Sequence, residues 1–129
     1  MSAVVVGRSG SGKSELVEIL VRDWRVRNPL LPVIFIDPKD EHDSFPNGVR
    51  VIPNQEETLL TEAPMFGLVE RWVGRAFQHG NCLVVVDEMD LSVSGKPNGD
   101  TPLAPIRVVM HGRARNVSYI WISRRPVEL

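Results

Sequence analysis

Residues 7–14 read Gly7-Arg8-Ser9-Gly10-Ser11-Gly12-Lys13-Ser14, the pattern G-x-x-x-x-G-K-S, between an apolar run and a helical pattern. This composition is typical of a phosphate-binding P-loop, because glycines let backbone N–H groups converge on phosphate oxygens. We expect Lys13 to reach the β- and γ-phosphates, and Ser14 to place its hydroxyl on Mg²⁺ where the helix begins. The segment therefore predicts a nucleotide site.

A second motif closes a later apolar run. Leu83-Val84-Val85-Val86 is followed directly by Asp87 and Glu88, at the strand end where open α/β sheets bind ligands. In this Walker B pattern Asp87 is the expected acid for Mg²⁺, and Glu88 is placed to orient a water for attack on the γ-phosphate. An acid that activates water favours ATP hydrolysis over phosphoryl transfer to a small molecule.

The order of apolar runs predicts the fold class. Four runs read as buried strands: Ala3–Val6, Val33–Ile36, Cys82–Val86 and Tyr119–Ile122. Strands that alternate with helices imply right-handed crossovers and a parallel sheet. We predict one α/β domain over residues 1–129, a three-layer parallel sheet with helices on both faces. A short run, Val49–Ile52, is an additional candidate edge strand.

The helical segments between these strands follow from periodicity. Apolar residues recur at helical spacing from Leu16 to Trp24, from Val69 to Phe77 and from Pro105 to Ala114. Pro29 and Gly80 are expected to end the first two. In the third helix we expect an inward face, which consists of Ile106, Val109 and Met110.

Composition is that of an ordinary globular domain. The chain has 129 residues, of which 43% are hydrophobic and 24% charged. The single Cys82 lies in an apolar run, which predicts core packing and a reducing setting. No apolar stretch approaches the length of a membrane span.

The charges are unevenly distributed although the net charge is only −1. Basic residues dominate after residue 106, where five arginines and one histidine oppose a single acid. These are Arg107, His111, Arg113, Arg115, Arg124, Arg125 and Glu128. Residues 37–62 are acidic by comparison. This split is compatible with solvated surface, with a nucleic-acid contact, or with contact to a neighbouring subunit's nucleotide.

Four pieces in this order resemble the FtsK/HerA superfamily of P-loop DNA-pumping ATPases, in particular viral genome-packaging ATPases and zonula-occludens-toxin-like assembly ATPases of filamentous phages. They are the P-loop, Val33-Ile34-Phe35-Ile36-Asp37-Pro38-Lys39, the Asp87-Glu88 pair, and the stretch from His111-Gly112-Arg113 through Ser123-Arg124-Arg125-Pro126. The resemblance implies a P-loop NTPase fold of the additional-strand (RecA-like) type, in which the fourth strand lies between the P-loop strand and the Walker B strand.

Two departures from that family stand out. Members usually carry a glutamine as a phosphate sensor after the fourth strand, whereas this chain has Arg124, a charged group that cannot accept a hydrogen bond. Members also continue into a fifth strand beside the first, which is not evident before Leu129. We expect either a compact or a C-terminally incomplete core, with the first strand as an open edge.

The resemblance also implies partners. Family members work as rings, usually hexamers, on double-stranded DNA, and a viral member would meet a capsid or portal component in the host cytoplasm or the virion. Each site would be completed by a neighbour's arginine, for which Arg113, Arg115 and Arg125 are candidates, and Arg71 and Arg75 are second choices. A solvated position is the alternative for each.

Three other functions stay open at this stage. The first is a filamentous-phage-type assembly ATPase, and the second is a small-molecule kinase on the same scaffold. The third is a scaffold that binds ATP without turnover, which the arginine at position 124 favours. The leading hypothesis is a Mg²⁺-dependent ATPase that translocates DNA. The residues from Leu91 to Asp100, with Lys96, are the candidate DNA-contacting loop.

Overall fold

Five parallel strands form one sheet. The computed structural model describes residues 2–7, 12–37, 49–53, 64–87 and 103–123. The strands are β1 (Ala3–Val6), β2 (Val33–Asp37), β3 (Val49–Pro53), β4 (Cys82–Val86) and β5 (Val117–Ser123). Their order in the sheet is β1-β5-β4-β2-β3, and every neighbouring pair is parallel. The four predicted strands and the additional edge strand are thus confirmed.

The last strand in the chain occupies the position that the family resemblance implied. β5 lies between β1 and β4, with Val6 opposite Ser123 and Val86 opposite Trp121. Since all strands run the same way, the C-terminal ends of β1, β4 and β5 meet at one edge of the sheet. The residues that follow β1 and β4 therefore lie at the same edge of the sheet, on either side of β5, although they are distant in sequence.

Helices cover both faces of the sheet, as predicted. They are α1 (Lys13–Arg27), α2 (Pro64–His79) and α3 (Leu103–His111), and a 3-10 turn (Gly112–Arg115) joins α3 to β5. α1 packs on one face through Val17, Val21 and Trp24. α2 and α3 pack on the other, where their apolar residues meet the opposite side of β4 and β5. The result is the three-layer arrangement.

Contact between α2 and α3 decides how α3 is oriented. A Cβ at Gly74 would lie 3.9 Å from the Cβ of Ala104, and Glu70 Oε1 accepts a 2.7 Å hydrogen bond from the backbone N–H of Ala104. Ala104, Pro105 and Val108 are buried, whereas Val109 is 43% and Met110 69% exposed. The predicted inward face of Ile106, Val109 and Met110 is therefore wrong. α3 is apolar on nearly every side, so periodicity did not identify the buried one.

β1 is less buried than its sequence suggests. Among the described residues it pairs only with β5, so it forms one edge of the sheet. Val5 is buried under α1, but Val4 is 55% and Val6 47% exposed on the opposite face. Burial on both faces was predicted for this run, and it is not found here because α3 lies over the interior strands rather than over β1.

The N-terminal edge of the sheet is closed by a turn cluster, which consists of Gly80, Asn81, Arg115 and Asn116. Gly80, Asn81 and Asn116 all have positive φ, of 68°, 49° and 56°. The Asn81 N–H donates to Arg115 O (3.0 Å), and the Asn116 side-chain amide donates to Asn81 Oδ1 (3.0 Å). α2 thus ends at the predicted glycine, whose αL conformation L-residues with a Cβ rarely adopt.

Cys82 is a core residue, as predicted. It begins β4, is fully buried, and its Sγ lies 3.4 Å from Ala76 O. Burial raises the pKa of its thiol to about 11, because the apolar surroundings disfavour the thiolate. None of the helices in the described part of the chain is long and apolar enough to cross a bilayer.

Candidate nucleotide site at the C-terminal edge of the sheet

Backbone hydrogen bonds carry the sheet one residue beyond the ends of β1 and β4. The Gly7 N–H donates to Ser123 O (3.1 Å), and the Asp87 N–H donates to Ile36 O (2.9 Å). Gly7, Asp87 and Ser123 are therefore held by the rigid sheet and not by loops. This edge, at the carboxyl ends of the strands, is where open parallel sheets bind ligands.

Two polar side chains are buried at this edge. Asp87 is 5% exposed and Ser123 is 1% exposed, and they are the buried polar or charged residues of the described ranges. Burying a carboxylate costs several kcal/mol unless partners compensate, so such positions are seldom occupied by chance. Ser123 lies beside the end of β1, which leads into the P-loop, and Asp87 lies at the same edge of the sheet on the far side of β5. The role of Asp87 as the Walker B acid stays a prediction.

Lys13 connects the two ends of the P-loop. Its Nζ donates a 2.9 Å hydrogen bond to the backbone oxygen of Gly7, the first residue of the motif. The ammonium group is thereby held at the end of β1 and close to the edge that carries the buried acid. A lysine in this position supplies positive charge to the phosphates of a nucleotide.

The start of α1 is open to an anion. Gly12 is the N-cap residue of the helix, with φ 84°, and as a glycine it has no side chain to cap the first turn. A Cβ at Gly12 would meet no atom within 4 Å. The glycine is therefore required here for its backbone conformation, and the space beside it is open. The uncapped N–H groups and the helix dipole suit a phosphate, which is the chemistry that the P-loop pattern predicted.

The structure places only some of the predicted site residues. Gly7, Gly12, Lys13 and Asp87 lie at the C-terminal edge of the sheet, with Lys13 bonded to Gly7, and the backbone of Ser14 lies in the first turn of α1. The remaining predictions, which lie outside the described residues, are Arg8, Ser9, Gly10, Ser11, Glu88, Arg124, Arg125 and the loop from Leu91 to Asp100. Their roles stay predictions.

The arginines of the 3-10 turn lie at the other edge of the sheet. Arg113 and Arg115 precede β5, so they stand beside the N-terminal ends of the strands. Arg115 donates from Nε to Phe77 O (2.6 Å) and from a terminal nitrogen to Gln78 O (2.7 Å), and its guanidinium lies 4.9 Å from the Phe77 ring. These bonds commit Arg115 to the C-terminal end of α2, which argues against the expected role as an arginine finger.

Ser123 was not singled out by sequence reasoning. The signal was present, since a serine ends the apolar run Ile120-Trp121-Ile122 immediately before the arginine pair. Its burial and its hydrogen bond to the start of the P-loop follow only from the insertion of β5 beside β1.

A groove elsewhere on the molecule is unrelated to this site. It has a volume of about 470 Å³ and lies between α3 and the first residues of β1 and β5, where it is lined by Ser2, Val109, Arg113 and Tyr119. It opens at the N-terminal edge of the sheet, away from the P-loop. We therefore assign the nucleotide site from the motif geometry and not from this concavity.

Solved structures with the same fold come from viral packaging proteins. The genome packaging NTPase B204 from Sulfolobus turreted icosahedral virus 2 in complex with ATP-gammaS has a TM-score of 0.67 and 17% identity, and the match covers 98% of this chain and 66% of that chain. The crystal structure of B204, the DNA-packaging ATPase from Sulfolobus turreted icosahedral virus, gives a TM-score of 0.58, 16% identity, and coverage of 95% and 65%. No protein-family model and no curated protein sequence matches the chain.

This chain spans about two thirds of the length of those neighbours. At 17% identity the likeness concerns the fold, and it confirms the expected resemblance to viral packaging ATPases at that level. The parallel sheet and the insertion of β5 between β1 and β4 match the strand order that the sequence resemblance implied. The protein is therefore an α/β domain with the P-loop NTPase fold of the viral genome-packaging NTPases.

Proposed function

We propose that this chain is a Mg²⁺-dependent ATPase domain that drives movement of double-stranded DNA, in the packaging of a viral genome. The observation that carries the proposal is the convergence at one sheet edge of the Lys13 ammonium, the buried Asp87 and the uncapped start of α1. The packaging function itself is supported by the fold shared with B204.

Each residue has a defined task in this proposal. Residues 8–12 and the first turn of α1 would hold the phosphates through backbone N–H groups. Lys13 would neutralise charge on the β- and γ-phosphates. Ser14 and Asp87 would hold Mg²⁺, which when bound supplies positive charge between those phosphate groups. The uncapped helix start and the buried carboxylate at this edge are the features that fit such a complex.

Hydrolysis requires a water and a proton acceptor. Glu88 follows the buried Asp87 directly and is proposed to orient the attacking water and to accept its proton. The bond between the γ-phosphorus and the β–γ bridging oxygen then breaks, and ADP leaves with inorganic phosphate. Arg124 is proposed to replace the phosphate-sensing glutamine of the family, with the guanidinium directed at the γ-phosphate.

Completion of the site by a neighbouring subunit is part of the proposal. Arg113 and Arg125 are the candidates, and an arginine finger raises hydrolysis by about 10³ to 10⁵. Arg113 lies at the edge of the sheet opposite its own P-loop. It can therefore act only on another subunit, in a ring for which a hexamer is the expected form. A capsid or portal component is the expected viral partner.

Steady-state ATP hydrolysis as a function of protein concentration, with and without duplex DNA at low salt, tests the proposal. We expect turnover to rise steeply with concentration and again with DNA. Lys13→Ala and Glu88→Gln are expected to abolish it, and Glu88→Gln should still bind ATP. Normal turnover in either variant would contradict the assigned roles.

A scaffold that binds ATP without hydrolysing it is the second candidate, and the arginine at position 124 favours it. Tight ATP binding with no phosphate release at any protein concentration, with or without DNA, would establish that function. In that case Arg124→Gln is the first variant to make, since regained turnover would identify the arginine as the cause.

A further inference from the structure

The two helix layers of the molecule carry different charge. α1 contains Lys13, Arg22, Arg25 and Arg27 together with Glu15, Glu18 and Asp23, so its charges nearly cancel. Two of its arginines are paired within the helix, Arg22 with Glu18 at 3.1 Å and Arg27 with Asp23 at 2.8 Å. This layer therefore presents a balanced surface.

The opposite layer is strongly basic. α2, α3 and the 3-10 turn contain five arginines, Arg71, Arg75, Arg107, Arg113 and Arg115, and a single acid, Glu70. Glu70 is already used inside the layer, because its carboxylate accepts the 2.7 Å hydrogen bond from the Ala104 N–H at the start of α3. Arginines therefore outnumber acids by five to one on these elements.

Three of these arginines form what we call the arginine face: Arg71, Arg75 and Arg107, all of which are exposed. Arg113 is left out because it is the candidate for a neighbouring subunit's site. Arg115 is excluded since it donates to the carbonyls of Phe77 and Gln78. Within the described ranges, no ion pair to a carboxylate is formed by Arg75, Arg107 or Arg113. A surface with this composition attracts a polyanion.

Part of the arginine face is held in place. The guanidinium of Arg75 lies 4.8 Å, and that of Arg71 5.7 Å, from the ring of the buried Trp72. Cation–π contact with an anchored indole limits the freedom of these side chains before any ligand binds. Arg71 and Arg75 are also one helical turn apart, about 6 Å along the axis.

α2 and α3 run side by side in the same direction, since both lead from the C-terminal to the N-terminal edge of the parallel sheet. Arg107 is an exposed residue of α3, which contacts α2 at Ala104, so the exposed arginines of both helices belong to one helix layer. A surface two helices wide matches an extended ligand with repeated charges better than it matches a single small anion.

We propose that the arginine face binds the phosphate backbone of double-stranded DNA. Guanidinium groups pair with phosphates in bidentate geometry, and the face contains arginine without lysine. A duplex offers one negative charge per about 1.7 Å of axis, so several phosphates lie within reach of such a face. The inference rests on the proposed function in taking duplex DNA as the polyanion, and it identifies a contact surface other than the loop around Lys96.

The test is the salt dependence of duplex binding by the double variant Arg75→Gln/Arg107→Gln. Fluorescence anisotropy with a labelled blunt duplex is measured without nucleotide over a range of salt concentrations. Each lost phosphate contact lowers the slope of log K against log salt by about 0.9. We expect a slope smaller by about two and an affinity at least about tenfold weaker at low salt.

The matched control is Arg22→Gln/Arg27→Gln on α1, where both arginines are paired with acids. It removes the same charge from the other layer, and we expect the slope to be unchanged. Thermal unfolding of both double variants checks that they are folded.

Several outcomes would overturn the inference. One is an unchanged salt slope in Arg75→Gln/Arg107→Gln. Another is that Lys96→Gln loses duplex affinity while Arg75→Gln/Arg107→Gln does not. A third is displacement of the duplex by polyglutamate as efficiently as by unlabelled duplex at equal charge, which would indicate a face for acidic protein. ATP hydrolysis is measured separately on the same proteins to distinguish the two proposals. If the double variant keeps its DNA-stimulated turnover, DNA binding by the arginine face is contradicted, whereas the proposed ATPase function is not.

Discussion

Polar residues flank the strands at both the C-terminal and the N-terminal edge of the sheet, but the hydrogen bonds and contacts of those residues differ between the two edges. At the N-terminal edge, the turn cluster of Gly80, Asn81, Arg115 and Asn116 is bonded to itself and to the end of α2. The C-terminal edge carries the buried Asp87 and Ser123, a helix start whose N-cap is a glycine, and a lysine bonded to the P-loop backbone.

The difference separates stability from function. The polar groups of the turn cluster at the N-terminal edge bond to one another and to the end of α2, and these hydrogen bonds hold α2, β4 and β5 together. The C-terminal edge gathers a positive charge, an acid and open backbone donors around a space that suits phosphate. Variants at the first edge should therefore change folding, and variants at the second should change catalysis.

The largest expected effect is that of Lys13→Ala at the C-terminal edge. Loss of the charge that stabilises the transferring phosphoryl group should lower kcat by at least about 100-fold. The free energy of unfolding should change by no more than about 1 kcal/mol, since only the hydrogen bond to Gly7 O is lost. Steady-state hydrolysis and chemical denaturation measure the two quantities.

Arg22→Ala is the matched control for the lysine, because it removes a cation of the same helix that pairs with Glu18. It should leave kcat unchanged and cost about 0.3–0.5 kcal/mol of stability. Equal loss of activity in both variants would mean that the assignment of the site to this edge is wrong.

At the N-terminal edge the largest effect should come from Gly80→Ala. The new Cβ would lie 3.0 Å from Arg115 O at a φ of +68°. Both features strain the native state, and we expect a loss of about 1–3 kcal/mol with kcat unchanged where the protein is folded.

Gly74→Ala serves as the control for that strain. Its Cβ would lie 3.9 Å from the Cβ of Ala104, an ordinary van der Waals contact, in a helix with normal backbone angles. Alanine is favoured over glycine there by about 0.5–1 kcal/mol, so stability should be unchanged or higher. Equal destabilisation by both glycine variants would contradict the turn-cluster account.

Arg115→Ala and Arg113→Ala compare the contributions of two arginines of the same 3-10 turn to the free energy of unfolding. Removing the two hydrogen bonds to the end of α2 should cost about 1–2 kcal/mol, whereas Arg113→Ala on the same 3-10 turn should stay within about 0.5 kcal/mol. Urea denaturation compares the two. If Arg113 acts on a neighbouring subunit, its variant alone should lose the turnover that depends on protein concentration.

The smallest effect concerns Cys82, whose raised pKa of about 11 means that its thiol stays protonated in the folded state at pH 9. We expect no reaction with a thiol reagent until the protein unfolds. As pH rises from 9 toward 11, the unfolded thiol loses its proton and the folded one keeps it, so stability should fall over that range. The fall should be smaller in Cys82→Ala, and rapid labelling of the native protein would contradict the buried position.

The sequence predicted some elements of the fold and the candidate site better than others. The apolar runs identified each strand of the described residues, including the edge strand predicted at Val49–Ile52, because parallel strands in a three-layer fold are continuously apolar. The motifs also predicted that Lys13 and Asp87 would lie at the C-terminal edge of the sheet, where the structure has them, and their roles stay predictions. α3 was oriented wrongly because it is apolar on most sides, and only its contact with Gly74 and Glu70 selects the buried side.

Sequence alone determined the local chemistry of this protein: a glycine-rich turn that needs a positive φ at Gly12, a lysine and an acid of defined type, and apolar runs that must be buried. Only the tertiary structure decided which of its arginines support the fold and which remain on the surface, and that Ser123 lies buried beside Gly7. Periodicity and residue type show what each segment requires locally, such as burial of apolar side chains or a positive φ. Partners across the sheet are set by strand order, which inserts β5 between strands that are distant in sequence.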